Sequence, residues 1–195
     1  MRDKVRNIIL SAVAALMAVA APEAGAQLSG DVVSLAERAQ AGDALAQNEL
    51  GLHYATMRDY SEAARWFRAA AEQGDVNAAW NLGNCYYNGN GVEQNPAEAV
   101  RLWTIVAEQG DAAAQVIVAE CYRDGDGVEV DYAAMAGWYA KAAEQGDAYA
   151  QTELGRCYLE GRGVARDREK AAEWYGRAAA AGYEPAVEAL RELAQ

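Results

Sequence analysis

One set of residues in this sequence has the composition of a zinc site. Cys85, Cys121 and Cys157 are the three cysteines, and His53 is the one histidine. Three thiolates and an imidazole make up one of the ligand sets of structural Zn²⁺. The same thiols also raise the question of a disulfide, which needs two Cα atoms within ~7 Å of each other. The spacing of these four residues decides whether they form a shared site.

The four residues recur with the period of the sequence itself. The segment Ala-Glu-Gln-Gly-Asp occurs at 71–75, 107–111 and 143–147, a period of 36 residues, and a shorter first unit of 32 residues begins at Gly42. Each possible ligand therefore occupies the same position in a different repeat. Equivalent residues on stacked helices lie ~8–10 Å apart, whereas zinc ligands lie ~2.0–2.3 Å from one ion. We predict no metal site, no disulfide and three buried free thiols.

Other patterns that are typical of reactive sites lack essential parts. Gly-x-Gly pairs begin at Gly89, Gly125 and Gly161, but no Lys-Ser or Lys-Thr follows, so they are not phosphate-binding loops. Asp124 and Asp126 lie in an acidic turn without the remaining ligands of a calcium loop. No serine begins a Ser-x-x-Lys motif, and a single histidine on a repeated position argues against a Ser-His-Asp triad. The sequence predicts neither an enzyme nor a cofactor.

Each repeat has the pattern of two helices joined by a turn. Small, aliphatic and aromatic residues recur on one side of the first helix, as at Ala150, Leu154, Gly155 and Tyr158. The Gly-x-Gly pair then ends that helix, since glycine readily takes a positive φ. Residues that can cap a second helix stand at one position of successive repeats: Asn95, Asp131 and Asp167.

The sequence therefore predicts an all-α fold, a right-handed α-solenoid of antiparallel helix hairpins. One hairpin of this size cannot bury its own apolar face, whereas stacked hairpins bury their faces against each other. The predicted repeat domain spans 27–195. It consists of an N-terminal helix at 31–41, repeats at about 42–73, 74–109, 110–145 and 146–181, and a capping helix at 184–195.

The repeated residues resemble the Sel-1-like repeat family, which is related to the tetratricopeptide repeat. The matching pattern is Ala-x-x-x-Leu-Gly-x-x-Tyr, Gly-x-Gly-Val, then Ala-Ala-x-Trp-Tyr-x-x-Ala-Ala-Glu-Gln-Gly, carried best by 148–182 and well by 76–147. The first unit departs from it, because 55–60 lacks the Gly-x-Gly turn. The resemblance implies an adaptor that assembles or tethers proteins. Cysteine-rich relatives pair cysteines at positions that hold alanines here, such as Ala107 and Ala114, so that disulfide scheme is absent.

Positions that vary between repeats are candidates for recognition. On the first helix these positions lie three, six, ten and thirteen residues after the junction glycine, a spacing that places them on one helix face. We call this the variable face, and the related tetratricopeptide fold implies that it lines a concave groove. The predicted partner-binding residues are Asn77, Trp80, Asn84, Tyr87, Glu120, Arg123, Tyr149 and Arg156. For Trp80, packing against an adjacent helix remains the alternative.

The first 26 residues have the pattern of a secretory signal peptide. Arg2, Lys4 and Arg6 precede an uncharged run at 8–21, and Ala24-Gly25-Ala26 forms a small-x-small cleavage pattern. The uncharged run is shorter than the ~20 apolar residues of a membrane span. We therefore predict cleavage after Ala26, no membrane insertion afterwards, and a periplasmic or secreted location.

The remaining chain is strongly acidic. Three of the 17 basic and two of the 29 acidic residues lie in the first 26, which leaves 14 and 27 and a net charge of −13. This charge argues against nucleic acid or anionic lipid as a partner. We expect a non-enzymatic scaffold or adaptor of the cell envelope that holds a peptide or protein. The alternatives are an envelope enzyme that acts on cell-wall fragments or β-lactams, and a structural subunit of an envelope complex.

Overall fold

The computed structural model describes residues 27–195, and the predicted signal peptide, residues 1–26, lies outside the described residues. The described part contains ten α-helices and no β-strand. In chain order these are α1 Gln27–Gln40, α2 Ala44–Thr56, α3 Tyr60–Glu72, α4 Val76–Asn88, α5 Pro96–Glu108, α6 Ala112–Asp124, α7 Tyr132–Glu144, α8 Ala148–Glu160, α9 Arg168–Ala180 and α10 Glu184–Leu193.

The chain divides into two compact units, with the division after Leu102, inside α5. In the N-terminal unit, each of α1 to α3 packs on the helix that follows it. In the C-terminal unit, which spans Trp103–Gln195, the same holds for α6 to α9. Helices that pack mainly on their sequence neighbours are the mark of a repeat architecture. The fold is an all-α repeat solenoid, which confirms the predicted fold class.

Side-chain caps explain where most helices begin. An aspartate at the repeat junction accepts a hydrogen bond from the backbone N–H three residues later and so satisfies one exposed donor of the first helix. The acceptors are Asp43, Asp75, Asp111 and Asp147, at 2.7–3.1 Å. Second helices are capped in the same way by the predicted residues Asn95, Asp131 and Asp167.

The turn inside each hairpin has two forms. Gly89, Gly125 and Gly161 take left-handed backbone angles, with φ of 71–77°, and their N–H groups donate to the carbonyl four residues earlier. The first hairpin lacks this glycine. There Arg58 takes a φ of 63°, and Asp59 caps the next helix. The departure of the first unit in sequence is therefore a local difference in turn geometry.

The first helix of a repeat lies very close to the second because it carries a glycine at the contact. A Cβ atom at Gly51 would lie 2.6 Å from the ring of Phe67, and one at Gly155 would lie 2.7 Å from the ring of Tyr175. Both rings are buried. The recurring glycine of the first helix therefore packs against the recurring aromatic residue of the second helix.

Buried glutamines tie successive hairpins together. Gln47, Gln115 and Gln151 each donate a side-chain hydrogen bond of 3.0–3.1 Å to a carbonyl in the last turn of the preceding second helix. Such carbonyls have no partner within their own helix. The second repeat has Ala79 at this position and makes no equivalent side-chain bond.

The two terminal helices differ slightly from their predicted bounds. The N-terminal helix begins at Gln27 rather than 31, because the helix continues through Gly30, and it ends at Gln40. The last helix ends at Leu193. Across residues 27–195, no helix is both long enough and apolar enough to cross a membrane.

Candidate functional site

The cysteine position is part of the helix scaffold. All three thiols are buried and free. Burial raises the pKa of Cys85 and Cys157 to about 11 and that of Cys121 to about 12. His53, at the same repeat position, is half-buried in α2. Within the described residues, no group of three or more His, Cys, Asp or Glu side chains could hold a metal ion.

In the N-terminal unit, the variable face of α4 combines exposed and buried groups. Asn77 is exposed, and Trp80 and Tyr87 are half-buried. Asn84 is only 8% exposed, and neither its side-chain oxygen nor its side-chain nitrogen has a hydrogen-bond partner in the protein. A buried amide without any partner is rare in native structures, because its desolvation is then uncompensated.

Polar groups near Asn84 in the sequence do have partners, so the amide stands out. The Asn81 amide donates to Asn48 Oδ1 at 3.0 Å and so joins α4 to α2. Arg68 of α3 donates to the Tyr86 hydroxyl at 3.0 Å. The side chain of Asn88 donates to the backbone carbonyl of Asn84 at 2.8 Å.

In the C-terminal unit, the variable face contains a buried carboxylate. Glu120 of α6 is 1% exposed, so its side chain is buried although it stands at a variable position. Its Oε1 accepts a 2.5 Å hydrogen bond from the Tyr149 hydroxyl of α8. Its Oε2 is buried and has no hydrogen-bond partner in the protein. Burial, followed by the charge of Glu120, raises the pKa of Tyr149 above its ordinary value.

Arg123 lies beside this carboxylate but pairs mainly with Asp124. Its Nε and one terminal nitrogen donate to the two Asp124 oxygens at 2.9 and 3.0 Å, an arrangement that raises the pKa of Arg123 and lowers that of Asp124. The other terminal nitrogen donates to Tyr139 at 3.2 Å and lies 3.5 Å from Glu120 Oε1. The Tyr139 and Tyr149 rings meet edge to face, with centroids 6.3 Å apart.

The remaining variable positions of this unit have mixed environments. Arg156 is exposed and forms an ion pair with Glu153 at 3.4 Å. Val116 and Thr152 are buried, and the Thr152 hydroxyl donates to the Ala148 carbonyl at 2.8 Å. Variation between repeats therefore marks both exposed positions and positions buried by a neighbouring helix.

Two residues that surround Glu120 and Arg123, Tyr139 and Asp124, were not among the predicted partner-binding residues. Tyr139 stands at a recurring aromatic position together with Phe67, Trp103 and Tyr175, a pattern that is typical of core residues. Its ring is fully buried, yet its hydroxyl reaches Arg123. Asp124, which the sequence places in an acidic turn without a predicted role, accepts two hydrogen bonds from the Arg123 guanidinium. No sequence signal distinguishes Tyr139 from the aromatic residues that only pack at this repeat position, because a phenylalanine would fit the same pattern.

Successive helix pairs, with a variable face on the first helix of each pair, define a helical-repeat protein of the scaffold class. The Sel1 repeat model matches residues 44–75, 76–111, 112–147 and 148–183. The chain belongs to the Sel1 repeat family, as its resemblance predicted. Proteins of this family are typically non-enzymatic scaffolds that mediate protein–protein interactions.

Two solved structures show the extent of the likeness. One is a protective antigen of uropathogenic Escherichia coli strains with an SLR fold, at 42% identity and a TM-score of 0.70 over 77% of this chain and 33% of that one. The other is a Sel1 repeat protein from Oxalobacter formigenes, at 34% identity and a TM-score of 0.72 over 83% of this chain and 48% of that one. This chain thus spans about a third and about half of their lengths. A search of curated proteins found no match.

Proposed function

We propose that this chain is a non-enzymatic adaptor of the cell envelope that holds a peptide or protein partner against its variable face. One observation carries the proposal. Asn84 and Glu120 stand at the same repeat position, ten residues after the junction glycine, and both retain buried polar atoms without a partner. Native proteins pair the large majority of buried side-chain polar atoms. Hydrogen bonds supplied by a bound partner would remove such an exception in either unit.

The surroundings of Asn84 suit a polypeptide in an extended conformation. A side-chain amide offers one acceptor and two donors, which complement the N–H and C=O of a peptide group. Trp80 and Tyr87 flank Asn84 on the same helix face. Trp and Tyr are the side chains most enriched among residues that dominate binding energy at protein interfaces. The envelope location rests on the signal-peptide pattern of residues 1–26.

A photo-cross-linker at Asn77 tests the adaptor role in living cells. Asn77 is exposed on the variable face, and Ser61 is exposed on the second helix of the preceding hairpin, so it serves as the matched control. We expect an envelope protein to be cross-linked from position 77 and not from position 61. Equal products from both positions, or none from 77, would reject the proposal.

Once the partner is identified, Trp80→Ala distinguishes binding from packing. If Trp80 is an interface anchor, the variant should weaken capture by ~2 kcal/mol or more with little change in thermal stability. If Trp80 only packs on a neighbouring helix, the same change should cost ~3–5 kcal/mol of stability. Affinity that is unchanged in the folded fraction would contradict the anchor role. His53→Ala is the second control, because a histidine on a structural position should not affect an adaptor.

A further inference from the structure

The C-terminal unit contains an acidic group whose hydrogen bonding is incomplete. Glu120 lies on α6 with 1% of its side chain exposed. The Tyr149 hydroxyl donates a 2.5 Å hydrogen bond to Oε1 of Glu120, and Oε2 has no hydrogen-bond partner in the protein. A carboxylate offers about four lone-pair sites and has no donor when ionised. The group that completes this site must therefore donate hydrogen bonds.

The charge of this group is also incompletely balanced. Arg123 uses two nitrogens for the two oxygens of Asp124, at 2.9 and 3.0 Å, and only its third nitrogen faces Glu120, at 3.5 Å. Charge-assisted N–H···O bonds are ~2.7–2.9 Å long. One guanidinium is thus shared by two carboxylates, which leaves Glu120, Arg123 and Asp124 with a formal charge of −1.

The repeat frame shows that the helix packing does not require a carboxylate here. The equivalent positions hold Leu52, Asn84 and Arg156 in the other repeats. A buried charge is costly to keep unless it is paired. Leu52 is half-buried and Arg156 is exposed, so this position differs in burial between repeats and the helix contact itself does not call for a buried acid.

We propose that Glu120, held by Tyr149, binds a basic side chain of the protein partner, a lysine or an arginine. This inference rests on the proposed function and names the chemistry that the C-terminal unit selects. Arg123 is 23% exposed, and its two bonds to Asp124 use other nitrogens than the one near Glu120. A ligand cation would therefore replace the 3.5 Å contact with Glu120 and the 3.2 Å bond that the same nitrogen donates to Tyr139. The net charge of −12 favours the approach of a basic segment over an acidic one.

The test uses three capped pentapeptides of glycine with a central lysine, glutamine or glutamate. Each is titrated into the purified full chain, and binding is followed through the NMR signals of labelled tyrosine rings. We expect the lysine peptide to shift the Tyr149 signal. It should bind about tenfold or more tightly than the glutamine peptide, because the glutamine peptide cannot form the hydrogen bond between two charged groups. The glutamate peptide should not bind.

Two charge-neutralising variants provide the comparison. Glu120→Gln should raise the Kd of the lysine peptide about tenfold or more, whereas Glu173→Gln, at an exposed position of α9, should leave it nearly unchanged. Thermal unfolding checks that both variants fold, and the peptide comparison on the unmodified chain does not depend on either. Equal binding of the lysine and glutamine peptides, no binding of the lysine peptide, or an equal effect of the two variants would overturn the inference. The cross-link from Asn77 would still test the adaptor role independently.

Discussion

Asn84 and Asn48 form a natural pair for measuring what an unpaired buried amide costs. Both lie on first helices of the N-terminal unit and are 8% and 5% exposed. Replacement of Asn84 by Leu, a residue of similar shape, removes two polar atoms that have no partner. We expect the free energy of unfolding to rise by about 1–3 kcal/mol, the desolvation cost of an unsatisfied group. Urea titration of the variant measures this change.

The control is Asn48→Leu, for which the opposite sign is expected. Asn48 Oδ1 accepts the 3.0 Å bond from Asn81, so its loss leaves that amide without its acceptor. The free energy of unfolding should fall by ~1 kcal/mol. If Asn84→Leu destabilises as much as Asn48→Leu, the Asn84 amide is paired in solution. If Asn84→Leu is more stable but no longer binds the protein partner, the Asn84 amide serves binding.

The three cysteines should be unreactive while the chain is folded. Their thiols are buried, and burial raises their pKa values to about 11 or 12. The thiolate is the reactive form, so very little of it exists at pH 8. We expect slow alkylation by iodoacetamide in the folded state and three titratable thiols in denaturant without reductant. A count of one would mean that a disulfide forms and that the repeat register is incorrect.

The helix contact between α8 and α9 depends on one glycine. Gly155 faces the Tyr175 ring, and a Cβ atom there would lie 2.7 Å from a ring carbon and 3.2 Å from the Ala171 carbonyl oxygen. Tyr175 is 3% exposed and has little room to move. Gly155→Ala should therefore lower the free energy of unfolding by about 1–3 kcal/mol, the usual cost of overpacking. Thermal or urea unfolding provides the measurement.

Gly176 of α9 is the matched control for this substitution. It lies in a helix of the same unit, and a Cβ atom there would meet nothing within 4 Å. Alanine in a helix interior is more stable than glycine by roughly 0.5–1 kcal/mol. Gly176→Ala should consequently raise stability. Equal effects of the two substitutions would show that close packing at Gly155 contributes nothing.

At the scale of helices and turns, most of the structure could be predicted because its causes are local. Asp131 caps α7 and Gly125 ends α6 through bonds within a few residues of each. The environment of Glu120 could not be predicted in this way. Its burial and its bond to Tyr149 depend on how α8 packs on neighbouring helices, 29 residues further along the chain.

At the scale of the whole chain, the same repeat frame explains both the fold and the candidate site. Constant positions such as Leu50 and Leu154 are buried and hold neighbouring helices together. Variable positions carry a tryptophan, an amide or an acid in different repeats, so the repeated helix contact does not fix their residue type. Repetition thus let the sequence indicate which positions were available for recognition. It could not indicate which of them, such as Val116 and Thr152, a neighbouring helix would bury.

Export is the prediction that concerns the whole molecule. The basic start, the uncharged run at 8–21 and Ala24-Gly25-Ala26 predict cleavage after Ala26. Mass spectrometry of the envelope fraction should therefore find an N-terminus at Gln27. Signal peptidase requires small residues at the first and third positions before the cut, so Ala24→Tyr and Ala26→Tyr should block cleavage, whereas Gly25→Ser should be tolerated. A full-length product in the cytoplasm would contradict export, and with it the proposal that the partner is an envelope protein.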